Sequence, residues 1–239
     1  MRPDSDEEGH AAYGFPPGLP VSQAAPGTNL LVSGPSGGGA HEVALNLLAS
    51  AGRRECVLLL SADISGRALL QRLDDSPWPV TRSMLGIVDC IGTDDHEEER
   101  FTTHGDPIDD PGDLAAIEIE FSLLYEKLAA REPAGVRIGL LSLSSLLADA
   151  PHREVTRFVH LLTGRIIATD DLGVFVVDSS RVAPGTVAAL SHFCDRHVRV
   201  RSDDDQLEIS VDADSESESW TPVDYDVAFK EWLDGPATR

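Results

Sequence analysis

Lysine is nearly missing from this chain. Among 239 residues only Lys127 and Lys230 occur, and 41 Asp and Glu outnumber 19 Lys and Arg, for a formal net charge of -22. No basic stripe is present, so direct binding of DNA or RNA is not expected. Cysteine is scarce as well. Cys56, Cys90 and Cys194 lack the C-x-x-C spacing of a metal or redox site. The first two lie in strand-like apolar runs and the third in a helix-like one, and all read as buried free thiols in a reducing compartment. No apolar run reaches the length of a membrane span. The acidic stretch Met1–Glu8 does not read as a signal peptide. The expectation is a cytoplasmic protein with no membrane partner. Aromatic residues make up only 5% of the chain, yet Trp220, Tyr225, Phe229 and Trp232 crowd its last stretch.

The acidic excess is spread through the whole chain rather than held in one tail. Dispersed charge of this size suits a surface adapted to high salt, where screening makes self-repulsion tolerable. A protein that mimics nucleic acid or binds basic partners is the competing reading. The 41% hydrophobic content is enough for a real core, and the length suits one full α/β domain or two small ones.

Buried strands and helices alternate along the chain. Strands are expected at 29–33, 56–61, 85–91, 136–141 and 173–178, each a short continuous apolar run. Between them lie helical patterns: one from Glu42, one around Arg67–Leu73, and a long one with Ile117, Phe121, Leu124 and Leu128 on one face and Asp113 as N-cap. A further helix starts at Pro151 and buries Val155, Val159, Leu162 and Ile166; another runs from Pro184 to His192. Segments 198–201 and 207–211 form a closing hairpin. The fold class is α/β in three layers, a mainly parallel sheet with helices on both faces and an antiparallel C-terminal edge hairpin. Residues 1–26 read as a mobile acidic arm rich in Pro and Gly, 27–212 as the domain with an acidic loop at 94–112, and 213–239 as an acidic linker and aromatic tail. That tail either docks on its own domain, covering a sheet edge, or serves as a partner-binding peptide.

The strongest motif is Gly34-Pro-Ser-Gly-Gly-Gly-Ala-His41, between a strand and a helix. It meets the phosphate-loop pattern G-x-x-x-x-G-K-[ST] at Gly34 and Gly39 and then breaks it twice. Ala40 stands where a lysine would reach the outer phosphates, and His41 where a hydroxyl would hold magnesium. Gly37, Gly38 and Gly39 leave the backbone free to wrap an anion at the helix start. The same loop also serves as a plain tight turn, so binding without turnover and no binding at all both stand. Asp94–Glu99 with His104 and Asp106 reads as a solvated acidic loop rather than a metal site, and no metal site is expected. Ser142, Ser144 and Ser145 lack the turn sequence of a hydrolase nucleophile. His152 and His160 read as helix surface.

Gly34–His41, Leu58–Asp63 and Arg137–Leu146 together resemble the RecA/KaiC-like ATPase superfamily. Pro111–Leu114, Gly139–Leu146, Phe158–Arg165 and Leu172–Asp178 are similar, in wording and order, to poorly characterised RecA-like proteins of halophilic archaea. The resemblance covers residues 29 to 201 and implies a RecA-like phosphate-loop fold. It also implies catalytic losses. Where that superfamily has an aspartate after the strand ending at Leu141, this chain has Ser142. Where KaiC-like members have adjacent glutamates, this chain has Asp63 and Ile64. Asp178 falls at a strand end that more often carries a polar sensor. With Ala40 and His41, these departures point to a pseudo-ATPase acting as a scaffold or signalling component through a protein partner or self-association. On that reading no cofactor is required. The alternative is weak binding of ATP or ADP, with partner-assisted hydrolysis.

Overall fold

The structure is a computed structural model that describes residues 12–16, 19–52, 54–74, 81–91, 103–104, 108, 110–203, 206–212 and 219–223. The chain enters through β1 (Tyr13–Gly14) and β2 (Gln23–Ala24), then β3 (Asn29–Gly34) and α1 (Ala40–Ala49). Next come β4 (Glu55–Ser61), α2 (Gly66–Asp74), β5 (Leu85–Asp89) and the short β6 (Thr103–His104). The middle of the chain forms α3 (Leu114–Ala129), β7 (Gly135–Leu140), α4 (Leu143–Asp149), α5 (His152–Ala168) and β8 (Leu172–Asp178). It closes with α6 (Pro184–Ser191), β9 (Arg196–Asp203), β10 (Gln206–Val211) and β11 (Thr221–Val223).

One sheet organises these elements, in the order β11-β10-β9-β3-β8-β7-β4-β5-β6. From β9 to β6 neighbouring strands run parallel, while β9, β10 and β11 pair antiparallel. The central strands are apolar at successive positions because both faces are covered, and alternate side chains sort to opposite layers. Leu30, Val32, Leu59 and Val174 face one layer with Val43 and Leu47 of α1. Leu31, Leu58, Leu60 and Phe175 face the other with Ile117 and Phe121 of α3 and Val159 and Leu162 of α5. Asp113 caps α3, its Oδ1 accepting the Ala116 N–H at 3.0 Å.

Three expectations need correction. Residues 12–16 and 19–26 are not a free arm. Tyr13, Phe15, Val21 and Ala24 are buried in the first layer, and β1 pairs with β2. The cause is Arg137 in the middle of β7, only 1% exposed. Its Nε donates to Glu55 at 2.6 Å, Nη1 to the Leu47 carbonyl at 2.7 Å and Nη2 to the Gly14 carbonyl at 3.0 Å. The Tyr13 and Phe15 rings lie 5.4 and 5.7 Å from that guanidinium. A buried guanidinium must have its donors satisfied, and the arm's backbone supplies one acceptor. Second, the segment expected as a loop at 94–112 includes a short strand. Thr103–His104 adds an edge strand beside β5, and buried Ile108 donates its N–H to the Asp89 carbonyl. Asp94–Glu99 and Asp106 lie outside the described residues. Third, Cys194 follows α6 rather than lying in a helix, and is half-buried while Cys56 and Cys90 are buried.

The start of the tail docks in cis. Val223 is buried opposite Leu207 of β10, and Arg201 stacks on Trp220, its guanidinium carbon 4.1 Å from the ring centroid. Tyr225, Phe229 and Trp232 lie outside the described residues. Among the described residues no helix is long and apolar enough to cross a membrane.

Candidate functional site

Four parallel strands end at one place. Gly34 ends β3, Asp63 follows β4, Ser142 follows β7, and Asp178 ends β8. Ligands of open α/β sheets bind outside the carboxyl ends of the strands, and here these ends border a cleft of about 380 Å3. The loop from Pro35 to Gly39 crosses its mouth and leads into α1.

The loop has the shape of a phosphate cradle. Gly37 and Gly39 have φ of +71° and +87°, a left-handed backbone that side chains rarely adopt. Gly39 is the N-cap of α1, and a Cβ there would also strike Leu207 of β10. Gly38 donates its N–H to the Pro35 carbonyl at 2.8 Å, tightening the turn. Ala40 and His41 open the helix, where the first N–H groups have no intrahelical acceptor. Those N–H groups and the positive end of the helix favour an anion.

The side chains around the loop belong to a different chemistry. His41 does not face an open magnesium position: its Nε2 lies 3.4 Å from Asp63 Oδ2, within ion-pair reach though off hydrogen-bond alignment. Ser142 Oγ donates to Asp63 Oδ1 at 2.6 Å and accepts the Ala62 N–H at 2.9 Å. Three positions that sequence reasoning marked one by one thus close on one another. Pairing with Asp63 raises the His41 pKa against the opposing effect of burial. Burial pushes Asp63 upward, but His41 and Ser142 together outweigh it and hold the carboxyl below its ordinary range.

Asp178 is occupied elsewhere. Ser36 Oγ donates to its Oδ2, while the Ser180 N–H and Oγ donate to Oδ1 at 2.9 and 2.6 Å. These bonds overcome burial and keep its pKa low. Asp178 therefore anchors the loop, and its own N–H is held by Ser144 Oγ at 2.7 Å. Two cationic residues that the sequence did not single out also line the cleft: Arg72 in the last turn of α2, and Arg181 just past β8. Arg181 follows Asp178 closely enough to have been found by asking what lies beyond a strand end. Nothing local links Arg72 to the site.

The residues present do not fit magnesium-dependent phosphoryl transfer. The lysine position is an aliphatic Ala40, the hydroxyl position is a histidine, and the carboxylate that faces that histidine, Asp63, is held by His41 and Ser142. Among the described residues no cluster of His, Cys, Asp and Glu could hold a metal ion. The loop keeps the left-handed glycines and the helix start without a side-chain cap that suit a backbone anion cradle.

Comparison of folds relates the chain to solved archaeal structures. A KaiC-like protein, PH0186, from the hyperthermophile Pyrococcus horikoshii OT3 superposes with a TM-score of 0.58 at 12% identity, over 89% of this chain and 93% of that one. The flagellar accessory protein FlaH from Methanocaldococcus jannaschii superposes with a TM-score of 0.50 at 13% identity, over 78% of this chain and 77% of that one. The fold is RecA/KaiC-like. Comparison with curated protein sequences finds no match. Residues 27–200, most of the chain, match a family of unknown function, DUF7504, and the chain belongs to that family.

Proposed function

We propose that this protein is a catalytically degenerate member of the RecA/KaiC-like fold that works through protein contacts, as a scaffold or regulatory component. One observation carries the reading: His41, Asp63 and Ser142 pair among themselves at the place where phosphoryl transfer needs free magnesium ligands. Ala40 in place of the lysine removes the point charge that a phosphate-loop lysine puts on the outer phosphates. In molar KCl the purified chain is expected to hydrolyse no ATP above background with magnesium present. Turnover that disappears when Gly39 is replaced by a bulky residue would overturn the reading.

Nucleotide binding without turnover is the second reading. The intact left-handed glycines and the cleft of about 380 Å3 favour it. A ligand at a hundred times its dissociation constant stabilises a protein by about 2.7 kcal/mol, so ATP or ADP would visibly raise the melting temperature. The pathway, and any signalling role in it, is a matter of the partner, whose capture under crosslinking in high salt is the direct approach.

A further inference from the structure

Three acids, Glu42, Asp63 and Asp178, and two arginines, Arg72 and Arg181, line the cleft, and two of the acids are engaged. Asp63 is committed to His41 and Ser142, and Asp178 to Ser36 and Ser180. A divalent cation needs oxygen ligands free to face it, and His41 brings a nitrogen to the position that would supply one. Arg72 and Arg181 reach the cleft from two different elements. Arg72 has no acidic partner among the described residues, and the hydrogen bond of Arg181 is one of 3.4 Å to the Ser145 hydroxyl. In a chain of net charge -22 that has 19 Lys and Arg, two arginines meet at this one cleft, beside the first turn of α1 and its Glu42.

We propose that the cleft binds an oligophosphate anion with no divalent cation. Arg72, Arg181 and the first N–H groups of α1 hold the phosphates, and the His41–Asp63 pair fills the place of the metal. Arginine forks match phosphate oxygens in pairs, which a lone lysine does not. The volume is in the range of small-molecule sites, about 300–1,000 Å3. This inference rests on the nucleotide-binding reading above and narrows it to a metal-free mode. A free oligophosphate and the tail of a nucleoside triphosphate share the chemistry.

The test is calorimetric titration of the full chain with ATP and with tripolyphosphate, each in EDTA and in excess magnesium. It uses the lowest KCl concentration at which circular dichroism shows the fold intact. ATP is expected to bind at least as tightly in EDTA as in magnesium. The double variant Arg72→Ala/Arg181→Ala should weaken binding roughly tenfold or more, the effect of losing a charged hydrogen bond, with its ligand-free melting unchanged. Tripolyphosphate binding in the same way assigns recognition to the phosphates alone; metal-free binding of ATP only adds the nucleoside to it, and both outcomes support the proposal. Binding of ATP that requires magnesium, or that ignores the loss of both arginines, overturns the metal-free mode and leaves nucleotide binding standing. Blank titrations with both ligands overturn the two together.

Discussion

His41, a single changed residue at the start of α1, ties the stability of the fold to pH. Pairing with Asp63 raises its folded pKa above the ordinary 6.5. The stability it contributes is therefore complete below about 6.5 and is lost as the pH rises through the raised value. Asp63 has the opposite sign: its folded pKa lies below the ordinary 3.8, so its contribution is complete above that value and fades as the pH falls through the lowered one. The pair supports the fold most between these limits. Asp63→Asn removes the charge and keeps an acceptor for Ser142. Its melting temperature should fall furthest below the parent near about pH 5, and the gap should shrink toward about pH 9 as His41 loses its proton in both proteins. An equal gap at both pH values would show that the charge pair contributes nothing.

At the scale of elements, the ends of helices carry more of the design than their middles. α3 starts where the exposed Asp113 carboxylate accepts the Ala116 N–H. Asp113→Ala should lower stability by about 1 kcal/mol, read from urea unfolding, with the slope unchanged. An unmoved midpoint would mean that packing of Ile117 and Phe121 alone sets the helix start. α1 starts differently, from a left-handed glycine with no side-chain cap, which leaves its first N–H groups available to a ligand. The β1–β2 pair is held from beneath by Arg137, whose donors reach α1, β4 and the arm at once. A buried pair of this kind ties segments together more through satisfied hydrogen bonds than through net ionic gain.

For the whole molecule, the net charge of -22 dominates. The Debye length grows from about 3 Å at 1 M salt to about 10 Å at 0.1 M, so acidic groups on neighbouring elements begin to repel as salt is removed. The unfolding midpoint should fall as KCl is lowered across that range, followed by circular dichroism at fixed pH. A midpoint that stays put would count against salt adaptation and favour an acidic surface kept for a basic partner.

Much of the architecture was legible because it depends on local pattern. Continuous apolar runs such as Leu58–Leu60 and Val174–Val177 belong only in a sheet covered on both faces, and the spacing of Val155, Val159, Leu162 and Ile166 belongs only on a helix. The broken phosphate loop was equally visible, since Ala40 and His41 occupy positions whose chemistry is defined by sequence spacing. Contacts between distant residues set the rest. Arg137 in a strand gives no sign that it will hold Gly14, 123 positions away. Neither the pairing of His41 with Asp63 and Ser142 nor the arrival of Arg72 at the cleft can be read from spacing. The sequence by itself determined the layers and the loss of the phosphate lysine and magnesium hydroxyl, because periodicity and motif are properties of neighbours. Only the tertiary structure decided which charged residues meet and pair at the cleft, because it brings the ends of β3, β4, β7 and β8 to one edge of the sheet.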